Sequence, residues 1–306
     1  VSLCPSNDCH ALLLSTIEKA QRSIDCAFYD LTLEEVAEAL ATKHDEGVRV
    51  RLMVDAGNRD REMIVWLSNH IGALRDDAPR ESMYNNFMHH KFCVVDDRYV
   101  YTGSANPTYN GMFRHNNEVY LFEGAYIAAL FREEFRRLYD FHQFGASKAS
   151  TGFSSSFPLR YAEEVSSMEV FFCPQDHCLA ELSERLVRGE DRITFASFAF
   201  THEHIEDLLI RADSRGVLVR GVFEEDKAGL RGSDVEALEQ LGLAIPADNP
   251  HRLHHKLFVI DGEWVITGSM NPSKAGVSYN DEVLLVLYQP RLARQLEGYL
   301  LEAFYG

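Results

Sequence analysis

The sequence contains no run of about 20 uninterrupted apolar residues, the length that a membrane-spanning helix needs. We therefore expect no membrane-spanning segment. A positively charged leader with an apolar centre is also missing, and because the numbering opens at Val1, a leader or anchor ahead of that residue stays open. Apolar residues make up 46% and charged residues 25% of the chain, a balance that is typical of a folded globular protein.

Basic residues are in the minority, with 30 Lys and Arg against 47 Asp and Glu, and the formal net charge is −17. Such a charge repels polyanions at long range and counts against a nucleic-acid substrate. A short basic cleft inside an acidic surface would still bind one, because the charge of the whole chain does not report the local potential.

Cysteine is scarce, and four of the six cysteines fall in two matching segments, C-P-S-N-D-C at 4–9 and C-P-Q-D-H-C at 173–178. We expect a disulfide within each pair first, reduced cysteines next, and a structural zinc shared by the pairs as a third possibility. Disulfides would indicate an extracytoplasmic or membrane-anchored protein, and reduced cysteines a cytoplasmic one, so the location is otherwise unknown. Cys26 and Cys93 lie in strand-like runs, which predicts buried thiols without chemistry.

The cysteine segments belong to an internal repeat, which a chain of 306 residues is long enough to fold as two domains. The same offset relates Gly47-Val48 to Gly216-Val217, and a slightly shorter one relates the His-His-Lys run at 89–91 to that at 254–256. We predict an N-terminal repeat at 1–142, a linker rich in Gly, Ser and Ala at 143–157, and a C-terminal repeat at 158–306.

Each repeat alternates between the two periodicities of regular structure. Strand-like runs at 23–29 and 192–200 are followed by helical patterns from Thr32 and Thr201, and Thr32 with Glu35 fits a capping box. Strands at 48–54 and 217–223, a second helix near 61–71 and 234–241, and further strands follow. This order predicts the α/β class, with two pseudo-symmetric α/β/α sandwich domains built on mixed sheets.

A group of polar residues stands at matching positions in both repeats. His89 and Lys91 are two apart on a predicted strand, so their side chains leave the same face of the sheet. A return strand then ends in Gly-Ser-x-Asn beside them. The resulting set is His89, Lys91, Ser104 and Asn106 in the first repeat and His254, Lys256, Ser269 and Asn271 in the second.

This set suits an anion with several oxygens and a leaving group, because Lys and Asn hold phosphate oxygens while His acts as nucleophile or proton donor. One repeat lacks a second proton-transfer group. If the repeats pack about a pseudo-twofold axis, the two histidines face each other across one phosphate. We therefore expect a monomer whose internal symmetry supplies one active site.

The spacing His-x-Lys, four residues, Asp, six residues, Gly-Ser-x-Asn is complete in both repeats, and in this the sequence resembles the phospholipase D superfamily, or HKD family. The resemblance implies a phosphohistidine on one motif histidine, with the other acting as acid and base. By chain order we expect His89 to be the nucleophile and His254 the acid and base, although the reverse order stays open. No metal or other cofactor is needed, because lysines and amides stabilise the charge on phosphorus.

Further roles follow from the same resemblance. Lys91, Lys256, Asn106 and Asn271 match its phosphate-binding positions, with Ser104 and Ser269 in support. Glu118 and Glu282 match acidic residues that orient each imidazole and raise its basicity. Asp96 and Asp261 are expected to secure the motif turn rather than act on substrate. His90 and His255 point to the opposite face, which favours a structural role for both.

Three functions compete for this site. A nuclease for DNA or RNA is expected first, because each repeat is compact and the neighbouring cations and aromatics suit a polyanion with bases. These neighbours are Arg59, Arg61, Arg114, Lys227, Arg231, Lys274, Tyr84, Phe87, Tyr109 and Phe113. The alternative is a phospholipase D or phosphatidyltransferase, which exposed apolar residues at Phe87-Met88 or Met112-Phe113 would favour. An inactive phosphate-binding scaffold is disfavoured by the intact His, Lys and Asn in both repeats.

Overall fold

The computed structural model describes residues 1–5, 7–78, 86–152, 156–228 and 235–306. The chain divides into two compact units, Val1–Ala149 and Ser150–Gly306, and this boundary falls inside the predicted linker at 143–157.

Unit 1 follows the predicted alternation of strands and helices. Its elements are β1 (Ser2–Cys4), α1 (Asn7–Glu18), β2 (Ser23–Phe28), α2 (Glu34–Asp45), β3 (Arg49–Val54), α3 (Glu62–Ile71), β4 (Leu74–Asp76), β5 (Lys91–Val95), β6 (Tyr99–Gly103), α4 (Tyr109–Phe113), β7 (His115–Glu123) and α5 (Ala125–Tyr139).

Unit 2 repeats this order with one extra strand, β8, at one edge of its sheet. Its elements are β8 (Phe157–Tyr161), β9 (Glu164–Cys173), α6 (Cys178–Arg188), β10 (Arg192–Ser197), α7 (Glu203–Ser214), β11 (Leu218–Phe223), α8 (Glu225–Ala228), α9 (Glu236–Gln240), β12 (Ala244–Pro246), β13 (Arg252–Leu253), β14 (Lys256–Ile260), β15 (Trp264–Gly268), α10 (Lys274–Ser278), β16 (Glu282–Tyr288) and α11 (Pro290–Tyr305).

Both sheets are mixed, as predicted. In unit 1 the strand order is β1-β7-β6-β5-β2-β3-β4, and in unit 2 it is β12-β11-β10-β14-β15-β16-β9-β8. The pairs β2·β3, β3·β4, β10·β11 and β11·β12 are parallel, whereas the motif strands β5 and β14 run antiparallel to β2 and β10. The motif strand therefore lies at the centre of each sheet.

Helices cover both faces of each sheet, which confirms the predicted sandwich. In unit 1, Leu13 of α1, Leu40 of α2 and Leu67 of α3 are fully buried in one core cluster with the strands. The helix α5 packs against β2, β5, β6 and β7 from the other side. In unit 2, α6, α7 and α9 bury one face and α11 covers β10, β14 and β15.

The predicted capping box at Thr32 is wrong. The helix α2 begins after Leu33, whose backbone is extended and whose side chain makes no cap. The backbone N–H groups of Thr32 and Leu33 donate instead to the carbonyl of Pro107, at 3.1 and 3.2 Å. A tertiary contact from the second motif arm thus fixes the start of this helix and replaces the local cap.

Each predicted cysteine pair forms a disulfide, Cys4–Cys9 and Cys173–Cys178. The prediction of free thiols at Cys26 and Cys93 is wrong, because these two residues also form a disulfide. They stand directly opposite each other in the antiparallel pair β2·β5, with their Cα atoms 4.0 Å apart. This pairing brings together residues that are 67 positions apart in the sequence.

Candidate active site

The motif histidine and lysine of each unit lie at the start of the central antiparallel strand and are buried. Lys91 begins β5 with 0% of its surface exposed, and Lys256 begins β14 with 2% exposed. His89 and His254, two residues earlier, each retain 8% exposure. Burying a lysine is costly unless its charge is held by polar partners, so this arrangement is typical of a prepared anion site.

Each buried lysine is fixed in the same way by its surroundings. The Nζ atom of Lys91 donates to the carbonyl of His89 at 2.6 Å, and Nζ of Lys256 donates to that of His254 at 2.7 Å. The aromatic ring of Tyr29 lies 5.2 Å from Nζ of Lys91, and the ring of Phe198 lies 5.0 Å from Nζ of Lys256. An aromatic face attracts an ammonium without competing for its N–H donors.

The same two rings also contact the motif histidines. Ring centroids are 4.9 Å apart for Tyr29 and His89, and 4.6 Å apart for Phe198 and His254. We did not single out these aromatic residues from the sequence. Their signal is their position, since each directly follows the strand that pairs with the motif strand, β2 in unit 1 and β10 in unit 2. Burial and the neighbouring carboxylate of Asp55 raise the pKa of the Tyr29 phenol, so it stays neutral.

A carboxylate holds the backbone just ahead of each motif histidine. The backbone N–H of Met88 donates to Oδ2 of Asp55 at 3.0 Å, and that of Leu253 donates to Oε2 of Glu224 at 2.7 Å. Asp55 and Glu224 follow β3 and β11 at matching positions of the two repeats. Sequence reasoning missed both, because only the folded sheet brings the end of the second strand beside the motif.

The second motif arm reaches the site through a close backbone approach. A Cβ on Gly103 would lie 2.3 Å from the carbonyl oxygen of Glu118, and one on Gly268 would lie 2.2 Å from that of Val283. Both glycines have positive φ, at +152° and +133°. Glycine is therefore required at this point of the motif for the chain to turn toward the histidine.

The two motif asparagines each present a polar atom without a protein partner. Within the part of the chain that the structure describes, Oδ1 of Asn106 and Oδ1 of Asn271 are buried and make no hydrogen bond. Leaving a buried amide unsatisfied is costly, so native proteins rarely do so outside functional sites. These oxygens can accept a hydrogen bond from a ligand, whereas a phosphate oxygen is itself an acceptor and would need the amide nitrogen Nδ2. The predicted role of the asparagines toward phosphate therefore stays a prediction.

The motif serines belong to different hydrogen-bond networks in the two units. Oγ of Ser104 donates to Oδ1 of Asn117 at 2.9 Å, whereas Oγ of Ser269 lies 2.6 Å from Oε2 of Glu282. The counterpart of Glu282 in unit 1 is therefore Asn117 and not Glu118. Strand pairing agrees with this assignment, because Gly103 pairs with Val119 and Gly268 pairs with Leu284.

The motif aspartates secure turns. Asp96 and Asp261 adopt left-handed φ angles of 54° and 55°. The carboxylate of Asp96 accepts the backbone N–H groups of residues 21, 22 and 23 at 2.8, 2.8 and 2.9 Å, and Asp261 accepts those of residues 190, 191 and 192. Burial opposes the charged form of Asp96, but these donors outweigh it and lower the pKa of the carboxyl group.

His90 and His255 point away from the motif face, as predicted, and the two units fix them differently. Nε2 of His90 lies 3.1 Å from Oε1 of Glu134 on α5, and the same oxygen binds Nζ of Lys148. Nε2 of His255 instead lies 3.3 Å from the hydroxyl of Tyr299 on α11. Burial disfavours the charge on Glu134, yet Lys148 and His90 lower the pKa of its carboxyl group to about 2.

The predicted rim cations separate into two groups. Arg59 lies 3.6 Å from Asp76, and Arg61 lies 3.5 Å from Asp30, so carboxylates offset both charges. Arg114 and Lys274 are exposed, and neither forms an ion pair with a described carboxylate. The predicted contributions of Arg231, Tyr84 and the side chain of Lys227 lie outside the described residues.

Apolar residues on the motif loops are mostly buried. Met88 and Met112 have 0% exposure, while Phe87 and Phe113 are half-buried against aromatic neighbours. Tyr109, the first residue of α4, is 55% exposed and carries the guanidinium of Arg114 over its ring at 5.1 Å. The exposed apolar loop that would favour a lipid substrate is therefore not formed by these residues.

Among the described residues, no group of three or more His, Cys, Asp or Glu is arranged to hold a metal ion. None of the helices described is both long and apolar enough to cross a membrane.

The sequence profile of the family described as "Cardiolipin synthase, PLD-like domain" matches residues 13–139 and 182–303. These stretches contain both motifs and most of both units, and the chain therefore belongs to the phospholipase D superfamily, as the sequence predicts.

Individual relatives match about one unit of the chain. The mitochondrial cardiolipin hydrolase of Chlamydomonas reinhardtii is 30% identical over 129 residues, which are 39% of this chain and 58% of that protein. The phospholipase D of Rickettsia conorii is 27% identical over 136 residues, which are 44% of this chain and 66% of that protein. The chain thus spans less than two thirds of the length of these relatives.

Solved structures that share the fold over nearly the whole chain include a synthase. The phosphatidylserine synthase of Haemophilus influenzae Rd KW20 has a TM-score of 0.69 at 12% identity, covering 94% of this chain and 82% of that one. At this identity the likeness concerns the fold alone.

Proposed function

We propose that the protein is a metal-independent phosphodiesterase in which His89 and His254 act on one phosphate through a phosphohistidine. The observation that carries this proposal is the duplicated set of a buried histidine, a buried lysine and, on the Gly-Ser-x-Asn arm that follows, an asparagine. Two such sets supply two proton-transfer groups and four phosphate donors, whereas one set supplies only half of them.

The reaction divides into two displacements. An imidazole nitrogen of His89 attacks phosphorus, a P–N bond forms as the P–O bond to the leaving group breaks, and protonated His254 gives its proton to the leaving oxygen. His254 then takes a proton from water as the water oxygen attacks phosphorus and the P–N bond breaks. Both histidines return to their starting states.

Charge on the five-coordinate phosphorus is stabilised by fixed donors. Lys91 and Lys256 supply two positive charges, and the side-chain amides of Asn106 and Asn271 supply N–H donors. Because both lysines are held on strands before substrate arrives, they need little reorganisation during the reaction. We therefore expect undiminished activity in EDTA.

The substrate that we propose first is a nucleic acid. Tyr109 offers an exposed ring for a base, and Arg114 and Lys274 offer positive charges that no described carboxylate offsets. Tyr109 and Lys274 begin the short helices that follow the Gly-Ser-x-Asn arms, and Arg114 directly follows the first of these helices. These features are local exceptions on a chain with a net charge of −17.

The second candidate is a phospholipid head-group ester. It is favoured by the names of the relatives, a cardiolipin hydrolase and a phospholipase D. Buried Met88 and Met112 do not provide the exposed apolar loop that would hold a membrane surface.

Two assays test this proposal. Turnover of bis(p-nitrophenyl) phosphate in EDTA reports the phosphodiesterase activity. We expect His89→Ala and His254→Ala to abolish this turnover. Undiminished turnover in either variant would contradict the assigned active site. A parallel panel of single-stranded DNA, RNA and phospholipid vesicles separates the substrates. For a nucleic acid, raising salt from about 50 to about 200 mM should lower binding roughly five- to tenfold if two cations contact phosphates.

We also propose an extracytoplasmic or otherwise oxidising location, supported by three disulfides that use all six cysteines. Mass spectrometry of protein purified with a thiol-blocking reagent tests this, because alkylated cysteines in the native protein would contradict it.

A further inference from the structure

The two units differ in charge at one position beside the motif serine. In unit 2 the carboxylate of Glu282 lies 2.6 Å from Oγ of Ser269 and accepts from Nδ2 of Asn280 at 3.0 Å. In unit 1 this place is taken by the neutral amide of Asn117, which accepts from Ser104 at 2.9 Å and donates to the carbonyl of Gly111 at 2.9 Å. One polar position is thus acidic in one unit and neutral in the other.

Glu118 does not supply the missing carboxylate on this face of the unit 1 sheet. Cys93 on β5 and Val119 on β7 both lie in the core cluster under α1, α2 and α3. Side chains alternate between the two faces along a strand. Lys91 lies two residues before Cys93, and Asn117 lies two residues before Val119, so both side chains leave the face that carries this core cluster. The side chain of Glu118 leaves the other face. Glu118 contacts the motif serine only through its backbone in these bonds, because its carbonyl accepts from the backbone N–H of Ser104 at 2.9 Å.

The acidic residue stands one position later in the first repeat than in the second, and this explains why the sequence hides the exchange. Asn117 follows Gly111 at the same distance as Glu282 follows Gly276, but the acidic residue of the first repeat stands one position later. Both glycines are fixed by the same contact, because a Cβ on either would lie 2.3 Å from the carbonyl oxygen of Asn106 or Asn271. The strand after each glycine therefore starts in the same register.

From these contacts we propose that Asn117 and Glu282 are the positioning residues of the two motifs, so that one motif has an orienting amide and the other an orienting carboxylate. The proposal rests on the proposed function. A carboxylate beside an imidazole stabilises its protonated form, whereas an amide fixes the ring without adding charge. The two motif histidines are therefore made unequal in basicity, as separate roles in the reaction require.

The other charged groups around the two motifs are largely matched. Each unit has a buried lysine, Lys91 or Lys256, and a carboxylate on the backbone ahead of the histidine, Asp55 or Glu224. Two of the remaining differences flank the position itself, because Asn116 and Glu118 of unit 1 match Asp281 and Val283 of unit 2. Others lie at the end of β2, where Tyr29 stands in place of Phe198 and Asp30 pairs with Arg61 at 3.5 Å. Asn117 and Glu282 differ in charge and both contact the motif serine of their unit.

Histidine titration by NMR tests this proposal without requiring activity. We expect the wild-type motif histidines to titrate at different pH values. Asn117→Asp, which changes charge but hardly shape, should raise the pKa of one motif histidine by about one, and Glu282→Gln should lower that of one by a similar amount. Glu118→Gln is the matched control, one residue away on the other face, and should move neither.

Turnover of bis(p-nitrophenyl) phosphate in the same proteins provides the second readout. Asn117→Ala should lower kcat at least about tenfold with KM nearly unchanged. Asn117→Asp should retain the fold and shift one limb of the pH profile upward. Motif-histidine pKa values that respond to Glu118→Gln but not to Asn117→Asp would overturn the inference. If the proposed function is wrong but the positioning roles are right, the wild-type protein will show no turnover while the variants still show these titration shifts.

Discussion

At the residue scale, both units place an aromatic ring beneath the motif lysine, but the ring belongs to a tyrosine in unit 1 and to a phenylalanine in unit 2. Tyr29 and Phe198 occupy equivalent places, and each ring contacts both the histidine and the lysine of its motif. Because unit 2 performs this role with phenylalanine, the hydroxyl of Tyr29 is not needed to hold the lysine. The ring face is the shared element.

We therefore expect Tyr29→Phe to retain nearly full activity and Tyr29→Leu to lose roughly tenfold in kcat/KM. The loss corresponds to about 1.4 kcal/mol, within the range of a desolvated cation–π contact. Steady-state kinetics on bis(p-nitrophenyl) phosphate measures both variants. Equal activity in Tyr29→Leu and Tyr29→Phe would contradict a role for the ring.

At the scale of elements, the short helix α4 is pressed against the second motif arm. The backbone of Gly111 lies so close to the carbonyl of Asn106 that an added Cβ would stand 2.3 Å from that oxygen. We expect Gly111→Ala to move α4, displace Asn106, and cost roughly 1–3 kcal/mol of unfolding free energy along with activity.

Gly298→Ala provides the matched control for this substitution. Gly298 lies within α11, and a Cβ there would meet nothing within 4 Å. Alanine should be neutral or stabilise the helix by up to about 1 kcal/mol. Urea unfolding of the two variants compares them, and a Gly111→Ala protein as stable as wild type would show that the contact is relaxed in solution.

The helix α5 carries a buried ionic group behind the motif strand of unit 1. Glu134 binds both His90 and Lys148, and its carboxyl pKa of about 2 lies below the ordinary value of 4.5. A depressed pKa means that the carboxylate adds stability above about pH 4.5, and that this stability is lost as pH falls toward 2. Unit 1 should therefore weaken in acid.

Lys148→Met should destabilise the protein by roughly 3 kcal/mol, because it leaves a buried carboxylate with His90 as its remaining partner in this group. The double variant Glu134→Gln with Lys148→Met should recover part of this loss. Lys43→Met, which removes a surface pair with Glu46, should change stability by less than about 1 kcal/mol. Urea unfolding at pH 7 and pH 4 measures all three, and a Lys148→Met effect no larger than that of Lys43→Met would contradict the prediction.

Much of this architecture was readable from the sequence, and the failures have a common physical origin. Hydrophobic periodicity and the repeat predicted the strand and helix order, and the two-residue spacing placed His89 and Lys91 on one face. The disulfide between Cys26 and Cys93 could not be predicted, because it depends on which strands pair. Asp55 was missed for the same reason. Glu118 was assigned by residue type, whereas the strand register assigns its place to Asn117.

At the scale of the whole molecule, the duplicated motif makes a quantitative prediction. If the two units share one phosphate, His89→Ala and His254→Ala should each remove essentially all turnover, and the double variant should be no worse. Two independent sites would instead leave about half of the turnover in each single variant. Initial rates of the three proteins in EDTA distinguish these outcomes.

The covalent topology of the chain has a practical consequence. The three disulfides use every cysteine, and each closes within a single unit. Only the backbone crosses from Ala149 to Ser150, so severing it there would release two polypeptides that migrate separately in a denaturing gel even without reductant. An engineered splice at this peptide bond would let one half be isotopically labelled while the other stays silent, and each imidazole could then be observed alone.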